Sequence, residues 1–309
     1  MKAFLSERSK NGKLPYVKKD WQIVLSYANL SSMKKVWFIT GCSTGFGREL
    51  AKVAADKGDA VVGTLRKESQ IAELEALAPG SIKAVLVDVT NPEQIASGVQ
   101  VAIDTFGRID YLVNNAGYGS MGTIEEVPAE EIQRQFDVNV FGAISMIKAV
   151  LPSMRAQQSG HILNITSIAG LRGNAGFGIY NGSKFALEGI GEALSRELRP
   201  FQIHVTNVEP GPFRTDWAGR SATYTQTSIP GYEESAGKFM SNLSDMSGKQ
   251  VGDPLKAAEA MHQLVQLENP PVHLPLGAWS YKGARGKMEA MLKEIDAFEY
   301  LGLPTDYTE

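Results

Sequence analysis

The run Thr40-Gly41-Cys42-Ser43-Thr44-Gly45-Phe46-Gly47 decides how this chain is read. An apolar stretch, Val36 to Ile39, precedes it and predicts a buried strand; Arg48 to Ala55 follows and predicts a helix. Strand, glycine-rich turn and helix are the setting that a dinucleotide site requires. Gly41 permits the tight turn, and Gly45 and Gly47 let backbone and helix approach a pyrophosphate at the helix N-terminus. Glycines also serve plain turns, so the turn must be weighed with the rest of the chain.

Working outward, strands and helices alternate. Apolar strands are predicted at Val36–Thr40, Ala60–Thr64, Ala84–Val87, Tyr111–Asn114, His161–Thr166 and His204–Val208, with Val272–Leu276 as a last candidate. Helical patterns lie between them at Arg48–Asp56, Gln70–Leu77, Pro92–Phe106, Glu130–Met154 and Ile179–Leu198. Continuous apolar strands joined by helices imply an α/β, doubly wound Rossmann fold: one parallel sheet of about seven strands with helices on both faces. From Pro212 to Gly252 the pattern weakens into Ser, Thr and Gly, with Trp217, Tyr224, Tyr232 and Phe239 scattered through it. A long loop at that place is expected over the substrate mouth. Pro254–Leu267 and Gly286–Glu299 then read as closing helices.

Composition narrows the function classes. The chain has 309 residues, 43% hydrophobic and 21% charged, with a net charge of -3. That charge gives no ground for a nucleic-acid or anionic-membrane partner, and no apolar run is expected to span a membrane. Cys42 is the one cysteine, so no internal disulfide can form and a reducing, cytoplasmic compartment is expected. The four histidines show no metal-ligand spacing, and no metal site is expected. Residues 1–32 are rich in Lys, Ser and Asn and resemble no signal peptide. They are expected to be a loosely attached arm, or Met33 to be the natural start, which leaves 33–309 as a single domain.

Three further clusters carry chemistry. Tyr180 and Lys184 stand four apart at the start of an apolar helical run, hence on one face, where an ammonium can draw a phenol towards working pH. Ser167 ends the strand thirteen residues before Tyr180 and can donate to a carbonyl or alkoxide oxygen. Asn139 lies inside a helical stretch that disfavours Asn, so a kink or an exposed amide is the plain expectation. Asn114-Asn115-Ala116-Gly117 directly follows a strand, where small and amide residues can pack beside a nucleotide.

Together these motifs resemble the short-chain dehydrogenase/reductase family. Thr40 to Gly47 matches its T-G-x-x-x-G-x-G, Asn114 to Gly117 its N-N-A-G, and Tyr180 to Lys184 its Y-x-x-x-K. Pro210-Gly211 followed by Thr215 matches its P-G-x-x-x-T. The similarity runs from about residue 35 to 280 and, in wording, comes nearest to the 17β-hydroxysteroid and retinol dehydrogenase branch. The resemblance implies that Tyr180 is the general acid/base. Lys184 would tune it and bind the nicotinamide ribose, Ser167 would hold the substrate oxygen, and Asn139 would complete a tetrad through a water. It also implies cofactor contacts from Thr40, Gly41, Ser43, Thr44, Gly45, Phe46 and Gly47 in the turn. Further contacts would come from Asn114, Ala116, Gly117, Tyr180, Lys184, Pro210, Gly211 and Thr215.

The residues after the second strand bear on which cofactor is held. NAD sites usually carry a carboxylate there; here Leu65-Arg66-Lys67 follows, and Arg66 can fork onto a 2′-phosphate. NADP(H) is therefore expected, with NAD possible, because the basic residue many NADP members carry before the middle glycine is Thr44 here. Asp88 resembles the family's adenine contact; it could instead cap the helix opening at Pro92, although Thr90 and Asn91 are better placed. The expected activity interconverts an alcohol and a ketone or aldehyde on a moderately apolar small molecule. An epimerase or dehydratase, or a non-enzymatic NADP-binding regulator, are the alternatives. A homodimer or homotetramer is expected, through apolar arcs on the helices Glu130–Met154 and Ile179–Leu198 that include Ile144, Ile147, Phe185, Leu187 and Leu194.

Overall fold

The computed structural model describes residues 34–307, so the arm expected at 1–32 lies outside the described residues. Nine strands follow in chain order: β1 Val36–Ile39, β2 Ala60–Leu65, β3 Ile82–Leu86, β4 Tyr111–Asn114, β5 Gly119–Met121, β6 Gly160–Ile165, β7 Ile203–Pro210, β8 Ala222–Tyr224 and β9 His273–Leu276. Seven form one parallel sheet in the order β3-β2-β1-β4-β6-β7-β9. The chain winds outward from β1 to β3, then returns to lay β4 on the other side of β1. The crevice at such a reversal, beyond the strand C-termini, is where doubly wound sheets hold ligands. The turn after β1 and the Asn-Asn-Ala-Gly after β4 both open onto it.

The sheet is apolar on both faces because both are covered. In β1, Trp37 and Ile39 enter the core beneath the helices Gly45–Asp56 and Pro254–Leu264, whereas Phe38 enters the opposite core beneath Pro92–Phe106 and Gly142–Gln157. Both cores reach zero exposure, so a polar replacement at Trp37, Phe38 or Ile39 would bury an unpaired group.

Several expectations need correction. The helix Ala129–Phe136 runs through a widened π turn, Asp137–Phe141, straight into Gly142–Gln157. By length and composition this continuous helix is apolar enough to cross a membrane, against the expectation from sequence. Met146, Ile147, Val150 and Met154 spend part of that apolar character in the second core. The segment 212–252 carries β8 and the helix Lys238–Asp245, and β8 pairs in parallel with β5. Three-residue strands give too short an alternation to be legible. The last long helix begins at Ala278 instead of Gly286. Of the residues assigned to a subunit face, Ile147, Leu187 and Leu194 are consumed by the chain's own core, and Phe185 stays 44% exposed. More apolar surface is exposed at the C-terminal helix, at Met291, Leu292, Ile295 and Phe298.

Candidate active site

The turn after β1 is built for close approach. Gly41 and Gly45 adopt φ of +73° and +61°, the left-handed region that side chains avoid. A Cβ on Gly47 would lie 2.5 Å from the Gly41 carbonyl oxygen and 2.6 Å from Asn115 Nδ2. Thr40 Oγ1 accepts from the amides of Asn115 and Ala116, each at 2.9 Å. Asn115 Nδ2 donates to the carbonyls of Thr40 at 2.7 Å and Gly41 at 3.0 Å. Thr64 Oγ1, on β2, takes the Gly41 amide at 3.0 Å. The loops after β1 and β4 thus form one rigid unit, and Asn115, the one member of the Asn-Asn-Ala-Gly run not expected to touch the cofactor, is its clasp.

The helix Gly45–Asp56 opens at Thr44 with no side-chain cap and no acidic residue in its first turn. Its leading N–H groups and positive dipole end face the crevice available to an anion. Among the described residues, Asn114 Oδ1 is buried without a partner. A cradle that excludes a Cβ, an uncapped helix start and an orphaned acceptor together fit a dinucleotide. Ser43 is half-buried in the turn, and Phe46 packs edge-on against Phe213 at 5.1 Å. From the far side, Thr215 approaches to 3.5 Å of where a Gly45 Cβ would stand, and the Gly211 amide donates to the Leu276 carbonyl at 3.1 Å.

At the other end, Arg66 is exposed just past β2. Partial burial opposes ionisation of Asp88, but the Thr90 amide and hydroxyl, with Arg66 and Arg134, outweigh it and hold the carboxyl below its usual range. Asp88 Oδ1 accepts from Thr90 N at 2.9 Å and Thr90 Oγ1 at 2.7 Å. Asn91 caps the helix Pro92–Phe106, accepting from the amides of Glu93 and Gln94 at 3.0 and 3.1 Å, so Asp88 is not the cap.

Ser167, Tyr180, Lys184 and Asn139 come together. Ser167 follows β6; its hydroxyl accepts from Ala169 N at 3.0 Å, donates to the Pro210 carbonyl at 3.4 Å, and draws the Tyr180 phenol's pKa downward. Tyr180 and Lys184 lie on the helix Gly178–Glu197, both buried. Lys184 Nζ sits 5.8 Å from the Tyr180 ring centroid and donates to the Ile165 carbonyl at 2.8 Å. Burial lowers the ammonium to about 8, against the opposing charge of Glu188. Here the expected lowering of the phenol by Lys184 does not hold. Burial raises the Tyr180 pKa above its ordinary value and only the neighbouring Ser167 hydroxyl works the other way. The ammonium spends its bond on a carbonyl, while aromatic rings cover the phenol. Asn139 stands in the π turn, so the kink is real, but its amide is buried. Oδ1 accepts from Tyr118 N at 3.1 Å; Nδ2 donates to Tyr118 O at 2.9 Å and Ser183 Oγ at 3.2 Å. A Cβ on Gly117 would stand 3.1 Å from Asn139 Oδ1 and 3.8 Å from Lys184 Nζ. The widened turn serves to place this amide, a common use of π bulges.

The cover over the phenol is apolar. Trp217 lies 5.0 Å from the Tyr180 ring and Phe177 5.5 Å, with Phe239 on Phe177 at 4.8 Å. Met121, Ala236 and Met240 complete the cluster. Phe177 and Met121 carry no sequence signal beyond being hydrophobic; only the fold brings them here.

Beneath the site a chain of amides crosses the sheet. Asn114 Nδ2 donates to Asn164 Oδ1 at 3.0 Å, Asn164 Nδ2 to Asn207 Oδ1 at 3.1 Å, and Asn207 Nδ2 to Glu188 Oε2 at 2.7 Å. The carboxylate at one end accepts only, so every amide donates towards it, and Asn114 is left presenting its oxygen. His273 Nδ1 meets Glu209 Oε1 at 2.7 Å and Glu188 Oε2 at 3.4 Å, and the two carboxylates push its pKa up to about 10.

The sequence matches the short chain dehydrogenase family model over residues 35–225. It is 36% identical to Oxidoreductase BOA17 of Botryotinia fuckeliana, covering 85% of this chain and 96% of that protein. It is 37% identical to the 3-ketodihydrosphingosine reductase of Bacteroides thetaiotaomicron (79% and 88%) and 34% identical to human retinol dehydrogenase 8 (79% and 81%). A short-chain dehydrogenase crystal structure from Streptomyces avermitilis superposes with a TM-score of 0.84 at 36% identity, covering 89% of this chain and 99% of that one. An alcohol dehydrogenase from Thermococcus sibiricus, solved with 5-hydroxy-NADP, superposes with a TM-score of 0.63 at 26% identity (79% and 96%). The serine and tyrosine beside a buried lysine, set at the reversal of a parallel sheet, therefore belong to an oxidoreductase of the short-chain dehydrogenase family.

Proposed function

We propose that this protein interconverts an alcohol and a ketone or aldehyde on an apolar substrate, using NADP(H) in preference to NAD(H). The Tyr180 phenol with the Ser167 hydroxyl and the Lys184 ammonium beside it, beneath the Trp217, Phe177 and Phe239 cover, carries the reading, because it gathers proton-donating groups under an apolar roof. Relatives named for retinol and for 3-ketodihydrosphingosine, both long apolar molecules, support the substrate class. The exposed Arg66 past β2, with no carboxylate at that strand end, supports NADP(H). The lone, buried Cys42 fits a cytoplasmic protein.

When bound, the nicotinamide supplies or takes the hydride. In reduction, Ser167 Oγ–H donates a hydrogen bond to the substrate carbonyl oxygen, and the Tyr180 hydroxyl transfers its proton to that oxygen as it becomes a hydroxyl. The resulting phenolate lies over the Lys184 ammonium, which the Ile165 carbonyl holds 5.8 Å from the Tyr180 ring centroid. The aromatic cover excludes water, so the proton passes only to the substrate. Oxidation runs the same steps backwards.

The test is a panel of steroids, retinoids, long-chain ketones and small carbonyls with each cofactor, followed by the near-ultraviolet absorbance of the reduced nicotinamide. Turnover of apolar ketones or aldehydes with NADPH above NADH is expected. Cofactor binding without turnover of any member would refute the reading.

A further inference from the structure

We infer that Arg220, carried by the segment that covers Tyr180, is a phosphate-binding residue for the dinucleotide and closes the cover onto the bound cofactor. Arg220 Nη2 donates to Thr44 Oγ1 at 2.7 Å across a sequence separation of 176 residues. Thr44 is the residue just before the middle glycine, at the uncapped start of the helix Gly45–Asp56. A guanidinium thus reaches the place where the turn itself carries no basic residue. Its other contact is Asp216 at 3.5 Å, with both side chains more than half exposed, a weak pair that a phosphate can replace. Both contacts use Nη2; among the described residues, the rest of the fork is left for oxygen acceptors. Arg220, Arg214 and the carboxylate of Asp216 border a cavity of about 290 Å³ next to Thr215 and Ser247, which has room for a phosphate group.

The same segment ties the two ends of the site. Trp217, three residues before Arg220, lies on the Tyr180 ring, and Thr215 lies against Gly45. A phosphate held by Arg220 would anchor the segment at its outer end and so fix the aromatic cover over the phenol. Arg220 is a cofactor-binding and positioning residue in this reading, which rests on the nicotinamide-dinucleotide function proposed above.

The experiment measures NADPH and NADH binding calorimetrically at low salt for the wild type, Arg220→Gln and Arg220→Lys, with melting temperatures alongside. Arg220→Gln is expected to weaken binding about tenfold, Arg220→Lys to retain most of it, and the melting temperature to stay unchanged. Added salt should weaken the wild type more than Arg220→Gln. Cofactor should also protect the wild-type segment from trypsin, which cleaves after Arg214 and Arg220, and protect Arg220→Gln less at Arg214. Loss with both nucleotides places the contact on the diphosphate; loss with NADPH alone places it on the 2′-phosphate. Unchanged affinities in Arg220→Gln would overturn the inference, as would a loss that Lys does not restore and that follows a fall in melting temperature. A wild type that binds neither nucleotide would refute the function proposed above, and this inference with it.

Discussion

Tyr180→Phe removes one oxygen and leaves almost everything else in place. The phenol ring keeps its packing against Phe177 and Trp217. Ser167 still accepts from Ala169 N and donates to Pro210 O, so its hydroxyl is not orphaned. The cost in stability is at most that of one hydrogen bond, about 1 kcal/mol, small beside the roughly 5–15 kcal/mol of an ordinary domain. The folded population is therefore unchanged at 25 °C. Chemistry loses its proton donor, which is worth about a hundredfold to ten-thousandfold, or roughly 3–5 kcal/mol in the barrier. The signature is a split: kcat falls at least about a hundredfold while NADPH affinity and melting temperature hardly move. Stopped-time assays on the best substrate, with fluorescence titration of NADPH, read both numbers. A kcat within about fivefold of wild type would remove Tyr180 from the mechanism.

Arg66→Ala should raise the KM for NADPH and leave that for NADH nearly unchanged; an equal rise with both would reduce Arg66 to a role in folding. Reduction should slow as the pH rises past about 8, where the buried Lys184 loses its proton, and Lys184→Met should flatten that limb of the kcat profile. His273 is held protonated in the fold by Glu188 and Glu209, with a pKa of about 10 against about 6.5 unfolded. The stability it adds is whole below about pH 6.5 and fades as the pH rises to about 10. Melting temperatures measured across that window should lose this slope in His273→Gln. Light scattering coupled to size exclusion should give a mass of two or four chains; a one-chain mass at micromolar concentration would refute the oligomer expected from sequence.

The parallel sheet was legible because its strands are continuous apolar runs joined by helices, which few other architectures allow. The turn, the Asn-Asn-Ala-Gly and the Tyr-Lys pair were legible because each is local. What stayed hidden depends on distance along the chain. Arg220 and Thr44 lie 176 residues apart, and nothing near either announces the other. The raised Tyr180 pKa comes from rings on other segments, so helical spacing alone pointed the wrong way. The early start of the last helix was masked by Gly283 and Gly286. Gly283 sits where a Cβ would come within 3.2 Å of Ile168, so it serves close packing beside Ser167. Much of the apolar arc expected at a subunit face proved to be core, because periodicity shows how wide such an arc is, not how much of it the core consumes.

Cys42 gives the cofactor turn its own clock. Its thiol is fully buried, donates to the Ile39 carbonyl at 3.2 Å, and is pushed up to about 12 by that burial despite a bond from the Thr64 backbone. Alkylation therefore waits for the turn to open, and with one cysteine in 309 residues each labelling event adds one mass increment to the whole chain. The labelling rate divided by that of a free thiol is the opening equilibrium of the turn, as in native-state exchange. Saturating NADPH must slow it by the factor 1 + [NADPH]/Kd if opening releases the nucleotide. The residue that looked inert thus lets local unfolding of the binding turn be followed without a substrate.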